Sequence, residues 1–459
     1  MTPANTYPVR SPYDGAVIGE AHESSEADVR EAIARASAAR GPMAALTAYQ
    51  RGAILDKISD LLAANVEAIA RLMAGESGKP MRYSRGEVKR AVETFAFAAD
   101  EARRLHGETI PLDAAQTGAG KTGWFVRVPV GVIAAITPFN FPLNLVAHKV
   151  APAIAAGCPL VLKPNPQTPL TAIRLMELAY EAGLPEGALS VVNGGADVGR
   201  WMTTDPRVQM ITFTGSVPVA KVISQTAGLR RTTFELGGNA ATIIDETADI
   251  DSLIEKTVAG AFAYSGQVCI SIQRIYIQQG KYNEFRDKFV ARVNKLVLGD
   301  PLQEGTEIGP LINDGAASRI AAWIAEAESM GARVLAGGSG DGRMFQPTVL
   351  EGVDTRMKVM CEEVFGPVVN LVPFDKFEDA LAAVNDSDFG LQAGVFTQNL
   401  SRAMQAARVL DVGGVIINDS PTFRVDQMPY GGNKNSGVGR EGPRFAVEDM
   451  TTLKMIVIS

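Results

Sequence analysis

The residues most able to do covalent chemistry on this 459-residue chain are its three cysteines, Cys158, Cys269 and Cys361. No two of them form a CxxC, so neither a disulfide framework nor a metal ribbon is on offer, and each must be explained singly. Cys158, between Gly157 and Pro159 and ahead of an apolar run, reads as a small buried hydrophobe. Cys361 precedes Glu362 and Glu363, whose charges raise a thiol pKa and blunt it. Cys269 has no adjacent charge and follows a Gly-Gln turn, which makes it the best candidate nucleophile. The three histidines, His22, His106 and His148, are far apart, with no HExxH and no Cys/His cluster, so no metal site and no papain-like base are expected. A carboxylate, Glu235, and an amide, Asn140, point to different chemistry. A thiolate adding to an aldehyde creates an oxyanion, which an amide NH₂ or a backbone N–H can hold. Hydride loss to a nicotinamide then leaves a thioester, and a carboxylate can activate the water that hydrolyses it. One Cys, one Asn and one Glu suffice for that scheme. Each also has a plainer reading; Glu235 could simply cap the turn at Gly237 and Gly238.

These residues need a scaffold. ITPFNFP (136–142) and FELGG (234–238) each follow an apolar run, SGQVC (265–269) follows a helical one, and EEVFGPV spans 362–368. In open α/β sheets functional groups gather at the carboxyl ends of strands. The first third reads as helical: Ser25 and Asp28 resemble a capping box, Gln50 to Leu72 repeats an apolar face, and Tyr83 to Leu105 forms a third helix. From residue 131 the apolar runs GVIAAI, PLVLK, ALSVV and VQMITF alternate with helical stretches, the pattern of parallel βαβ units. A second alternating block follows Gly237, with strands at RIYIQQ, ARVLA, PVVNLVPF, AGVFT and GGVIIN and a helix at Val258 to Ser265. Two α/β units meeting near ELGG are therefore expected. The tail LKMIVIS reads as a lone terminal strand, for which another subunit is a plausible partner edge. GVGREG (437–442) matches GxGxxG, but no strand leads into it and no acid follows at the right distance, so it is not read as a dinucleotide turn.

Lys plus Arg number 44 and Asp plus Glu 51, a net charge of −7 that argues against nucleic acid as the main partner. The most apolar stretch, 131–162, is broken by Asn140, Asn144, His148 and Lys149 and by Pro138, Pro142 and Pro152, so no membrane span is expected. No signal peptide is recognisable, and a cytoplasmic location is the default.

Taken in order, TPFNFP, Lys163-Pro164, FTGS (213–216), ELGG, GQVC, EEVFGPV and PYGGNKNSGVGREG resemble the aldehyde dehydrogenase superfamily over nearly the whole chain. The resemblance implies an α/β fold with two parallel-sheet domains and a small β oligomerisation element. Residues 1–108 and 130–236 would form a variant Rossmann coenzyme domain, 237–440 the catalytic domain, and 109–129 with 441–459 the oligomerisation element. It implies Cys269 as the thiol, Asn140 with the Cys269 backbone N–H as the oxyanion hole, and Glu235 as the base for deacylation. Pro138, Phe139, Lys163, Gly215, Ser216, Glu363 and Phe365 would bind NAD or NADP. Many NAD-preferring members carry a Glu three residues after the lysine; here Pro166 stands there, which makes NADP acceptable as well. Phe141, Leu145, His148, Val268 and Arg424 are the candidate substrate residues, Arg424 for a hydroxyl or anionic tail unless it serves an ion pair instead. A homodimer or homotetramer is implied, and no metal. Two rivals are a coenzyme-A-acylating enzyme and a retired binding protein of the same fold; intact Glu235 and Cys269 favour neither.

Overall fold

Runs such as IAAI and LVLK are apolar on both faces, so they are stable only inside a parallel sheet covered on both sides. The computed structural model, which describes residues 5–459, places them there. The first sheet has six strands in the order Gly437–Val438, Arg231–Glu235, Met210–Thr214, Ile133–Ile136, Leu160–Lys163 and Leu189–Val191; all are parallel except Gly437–Val438. Residues of helices Ala48–Ala64, Met81–Arg104 and Asn144–Ala156 share one core with it. Residues of Glu26–Ala45, Ala196–Thr204 and Val217–Ala227 share another. The chain leaves this sheet at Glu235 and enters the second at Ala240. The second sheet runs Arg333–Ala336, Thr348–Glu351, Val368–Phe374, Ile272–Gln278, Ala240–Ile244, Gln392–Phe396, Gly414–Ile417, with only Arg333–Ala336 antiparallel.

Local signals were reliable. Ser25 and Asp28 close a reciprocal capping box on helix Glu26–Ala45. Several expectations need correction. The helical third also contains an antiparallel hairpin, Thr6–Arg10 with Val17–His22. The 50–72 pattern is two helices, Ala48–Ala64 and Val66–Ser77, broken at Asn65. The helix expected at 258–265 is Ile250–Phe262, and it stops because Tyr264 and Ser265 take left-handed backbone angles. The terminal strand Thr451–Ile458 pairs antiparallel with Thr122–Pro129 of its own chain, which also pairs with Glu108–Ile110. That pairing satisfies one edge of the terminal strand within the chain, over eight consecutive residues; the strand ends its three-stranded sheet, and its other edge pairs with no strand among the described residues. Gly437–Val438, expected in the second unit, joins the first sheet against Phe234 and Glu235.

One buried ion pair ties the helical layer to the site. Lys79 and Glu87 are fully buried partners, and Glu87 Oε1 also accepts the N–H groups of Leu143 and Asn144 at 2.9 and 3.0 Å. A carboxylate at the first turn of helix Asn144–Ala156 satisfies its open donors and its dipole. Glu87→Ala strands the buried Lys79 ammonium and uncaps this helix, so a loss of about 3–5 kcal/mol is expected, read as a lower urea midpoint.

Candidate active site

Four parallel strands of the first sheet end on one side, and the sequence-selected residues sit at those ends: Pro138, Phe139 and Asn140 after Ile133–Ile136, Lys163 closing Leu160–Lys163, Gly215 and Ser216 after Met210–Thr214, and Glu235 closing Arg231–Glu235. The second unit faces them with Cys269, Glu363 and Phe365. A cavity of about 360 Å³ lies between. Every residue expected to hold the cofactor lines it, as do Asn140, Leu145 and Cys269; Glu235, Phe141, His148, Val268 and Arg424 do not.

Cys269 is aimed by a strained turn. Tyr264, Ser265 and Gly266 have φ of 50°, 56° and 68°. Their surroundings enforce this: Tyr264 Oη donates to the Ser77 carbonyl at 2.8 Å, Ser265 Oγ donates to the Gly309 carbonyl at 2.7 Å, and a Cβ on Gly266 would lie 2.1 Å from the Gly366 carbonyl oxygen. The half-buried Cys269 Sγ lies 3.1 Å from Tyr430 Oη. Burial pushes its thiol up to about 11, while Tyr430 and Arg424 pull it down and Glu363 and Glu235 push it up. Asn140 Nδ2 donates to the Gln267 carbonyl at 3.0 Å, which ties the amide to the turn that carries the thiol and leaves its second N–H for another acceptor.

Glu235 is only 3% exposed, and neither of its carboxylate oxygens has a hydrogen-bond partner among the described residues. Burial raises its pKa well above the ordinary carboxylate value; Glu441 adds to the rise, and Arg424, Lys149 and Arg440 oppose it. The two glycines of ELGG have a steric cause. A Cβ on Gly237 would lie 2.3 Å from Glu363 Oε2, and one on Gly238 would lie 2.2 Å from the Cys269 carbonyl oxygen. The Gly238 N–H donates to Glu363 Oε1 at 2.9 Å, and burial pushes Glu363 up to about 7.

The rest of the cavity suits a dinucleotide. Lys163 is a buried cation, lowered to about 8 by desolvation, and its Nζ finds only the Pro164 carbonyl, at 3.4 Å, with no carboxylate partner among the described residues. Helix Val217–Ala227 opens after Ser216 without a side-chain cap, leaving N–H donors of the kind that bind phosphate. Phe365, at φ 47°, meets Phe139 edge to face at 5.7 Å. An unpaired cation, an open helix start, a buried carboxylate and an aromatic pair are groups that could hold a nicotinamide dinucleotide. Among the described residues no group of acidic, Cys or His side chains could hold a metal ion, and no helix is long and apolar enough to cross a membrane.

The remaining substrate candidates fall behind the thiol. Phe141 packs its ring against Lys79 Nζ at 3.8 Å. Val268 packs on the cluster of Ile270, Leu391 and Tyr430. His148 is buried, with Nε2 2.8 Å from Asp426 Oδ1 and 3.0 Å from Arg424 Nη2. Arg424 does not take Asp426, which pairs with Arg90; it donates to Glu441 Oε2 at 3.2 Å and stacks 3.6 Å over the Tyr430 ring. Sequence reasoning missed Tyr430, Gln267 and the Lys149–Glu441 pair at 3.0 Å. Tyr430 and Gln267 carried a signal, as the aromatic of PYGG and the amide of SGQVC; the Lys149–Glu441 pair depends on long-range packing.

The aldehyde dehydrogenase family matches residues 1–456. The chain belongs to the aldehyde dehydrogenase family. It is 45% identical over 459 residues to a 3-sulfolactaldehyde dehydrogenase of Priestia aryabhattai, covering all of this chain and 96% of the relative. Aldehyde dehydrogenase 21 from Physcomitrella patens, solved in complex with the reaction product succinate, superposes with a TM-score of 0.98 at 42% identity, covering all of this chain and 96% of that one. A glyceraldehyde-3-phosphate dehydrogenase of Methanocaldococcus jannaschii, complexed with NADP, gives 0.95 at 35%, with both chains fully covered. This aldehyde dehydrogenase is thus an NAD(P)-dependent oxidoreductase that converts an aldehyde to a carboxylic acid.

Proposed function

We propose that Cys269 is the nucleophile, Asn140 the oxyanion donor and Glu235 the deacylation base, acting on a short aldehyde with an anionic or hydroxylated tail. The observation that carries this reading is the meeting of the Cys269 turn and the Asn140 amide at one cavity, joined through the Gln267 carbonyl. The Cys269 thiolate adds to the carbonyl carbon, and the π electrons move to oxygen. That oxyanion accepts from the free Asn140 N–H and the Cys269 backbone N–H. When bound there, a nicotinamide would supply the hydride acceptor; as the C–H pair leaves the carbon the oxyanion electrons re-form the C=O, and the acyl group stays on the Cys269 sulfur as a thioester. Lys163, Ser216 and the helix start behind it would hold the cofactor's ribose and phosphates, with Glu363 on the second ribose and Phe365 beside the ring. Glu235 then takes a proton from water, water's oxygen adds to the acyl carbon, and the Cys269 thiolate departs. A carboxylate able to do this favours hydrolysis over transfer to coenzyme A.

For the tail, Arg424 is read as an anion reader through its remaining N–H groups, since its ion pair with Glu441 engages only Nη2. It stands one aromatic ring from the sulfur, and its buried Nε has no partner among the described residues. The relatives' names point the same way, since sulfolactaldehyde, succinate and glyceraldehyde 3-phosphate each carry an acidic group. Pro166 removes the acid that would repel a 2′-phosphate, so both cofactors are accepted. The exposed Leu453, Met455 and Val457 of the terminal strand suit a homodimer or homotetramer, and three free cysteines suit the cytoplasm.

Reduced-nicotinamide absorbance over aliphatic, aromatic, hydroxylated, carboxylated and sulfonated aldehydes, with each cofactor separately, tests these points. The expected result is kcat/KM about tenfold or more higher for acidic or hydroxylated tails than for neutral aldehydes of equal length, lost in Arg424→Gln. The two cofactors should differ by about tenfold or less. Equal rates on neutral aldehydes would remove the tail assignment, and NADP turnover a thousandfold worse than NAD would remove the cofactor assignment.

A further inference from the structure

Tyr430 has no part in the steps above, yet its hydroxyl touches the reacting sulfur. Its backbone is clamped to Glu441, donating to the Glu441 carbonyl at 3.0 Å and accepting the Glu441 N–H at 2.6 Å. Its buried ring packs with Ile270 and Leu391 and carries the Arg424 guanidinium 3.6 Å over its face. Arg424 is itself held by Glu441. The ring therefore has little freedom, and its Oη stays 3.1 Å from Cys269 Sγ, the only hydrogen-bond partner of either atom among the described residues.

We propose that Tyr430 is a catalytic residue whose hydroxyl donates a hydrogen bond to the Cys269 sulfur and favours its thiolate form, with Arg424 as the positioning residue that fixes the ring. The inference rests on the reading of Cys269 as the nucleophile. A neutral thiol and a phenol can share one weak hydrogen bond in either direction. A thiolate can only accept, and a bond to a charged acceptor is roughly twice as strong as a neutral one. The gain therefore falls on the ionised form. The groups facing the sulfur otherwise are Glu363 and Glu235, which resist a second negative charge, and Arg424, which favours it. Burial holds the Tyr430 phenol well above its ordinary value, so it remains a donor throughout the assay range.

The test is the pH dependence of iodoacetamide alkylation in the full-length enzyme, read by mass spectrometry on the peptide carrying Cys269 so that Cys158 and Cys361 do not contribute. In Tyr430→Phe the midpoint should rise by about one pH unit, with alkylation about tenfold slower below it. The acidic limb of kcat should move with it, activity should recover at high pH, and KM should change little. A packing role alone would slow the reaction at every pH without moving the midpoint, and an unmoved midpoint overturns the inference. If Tyr430→Phe does not fold, 3-fluorotyrosine at position 430 serves instead. Its more acidic phenol is a stronger donor, so the midpoint should fall; no change, or a rise, overturns the proposal. Cys269→Ala separates the two readings, because activity surviving there removes the nucleophile assignment, whereas a dead Cys269→Ala with an unmoved Tyr430→Phe midpoint removes only this one.

Discussion

Cys269→Ala is expected to abolish aldehyde oxidation, by about 10⁴-fold or more, while the folded protein still binds its cofactor. The size of the loss follows from the absence of a substitute. Cys158 is buried, with its Sγ donating to the Met450 carbonyl at 3.3 Å, and burial pushes its thiol up to about 11. Cys361 lines a separate cleft with Arg274 and Lys434, and its thiol is raised by burial and by Glu362. Neither can reach an aldehyde held at Asn140. Stopped-flow measurement of the first turnover checks this, because a missing burst places the defect at acylation. Unimpaired turnover in Cys269→Ala would remove the thioester scheme altogether.

Glu235→Gln should fail one step later. Acylation proceeds, the first equivalent of reduced cofactor appears, and the acyl-enzyme then accumulates, with deacylation slowed by about 10²–10⁴-fold. Gln keeps the shape and removes only the titrating group. Burial, reinforced by Glu441, lifts the Glu235 pKa, and a base works in its deprotonated form. Wild-type deacylation should therefore climb with pH through that raised value, and the climb should vanish in the variant. Intact-protein mass spectrometry reads the trapped acyl group directly. A coenzyme-A-acylating enzyme would behave differently, accumulating thioester in the wild type until coenzyme A is added.

Both variants concern residues legible in the sequence, because their chemistry is local. A cysteine free of neighbouring charge, an amide after an apolar strand and a carboxylate at a strand end are recognisable one segment at a time. The parallel sheets were legible for a similar reason: runs apolar on both faces have few other stable homes. The capping box at Ser25 was visible because all its atoms lie within one helical turn. The strand-end placement of Asn140, Lys163, Ser216 and Glu235 followed from the alternating βα pattern alone.

What escaped the sequence involves partners far apart along the chain. Cys269 and Tyr430 are separated by 161 residues, and nothing in either segment states that the hydroxyl meets the sulfur. Arg424 could have paired with Asp426, two residues away, yet packing gives Asp426 to Arg90 and turns Arg424 onto Tyr430 and Glu441. The terminal strand was readable as a strand from its own residues, but its grouping with 109–129 came only from the family resemblance, because period and propensity specify extension and leave the choice of edge to whichever neighbour folding brings alongside. By itself the sequence determined the candidate reacting groups and the βα units that carry them. The tertiary structure alone decided the electrostatic company those groups keep, since burial and long-range pairing set charge energies and no local pattern encodes them.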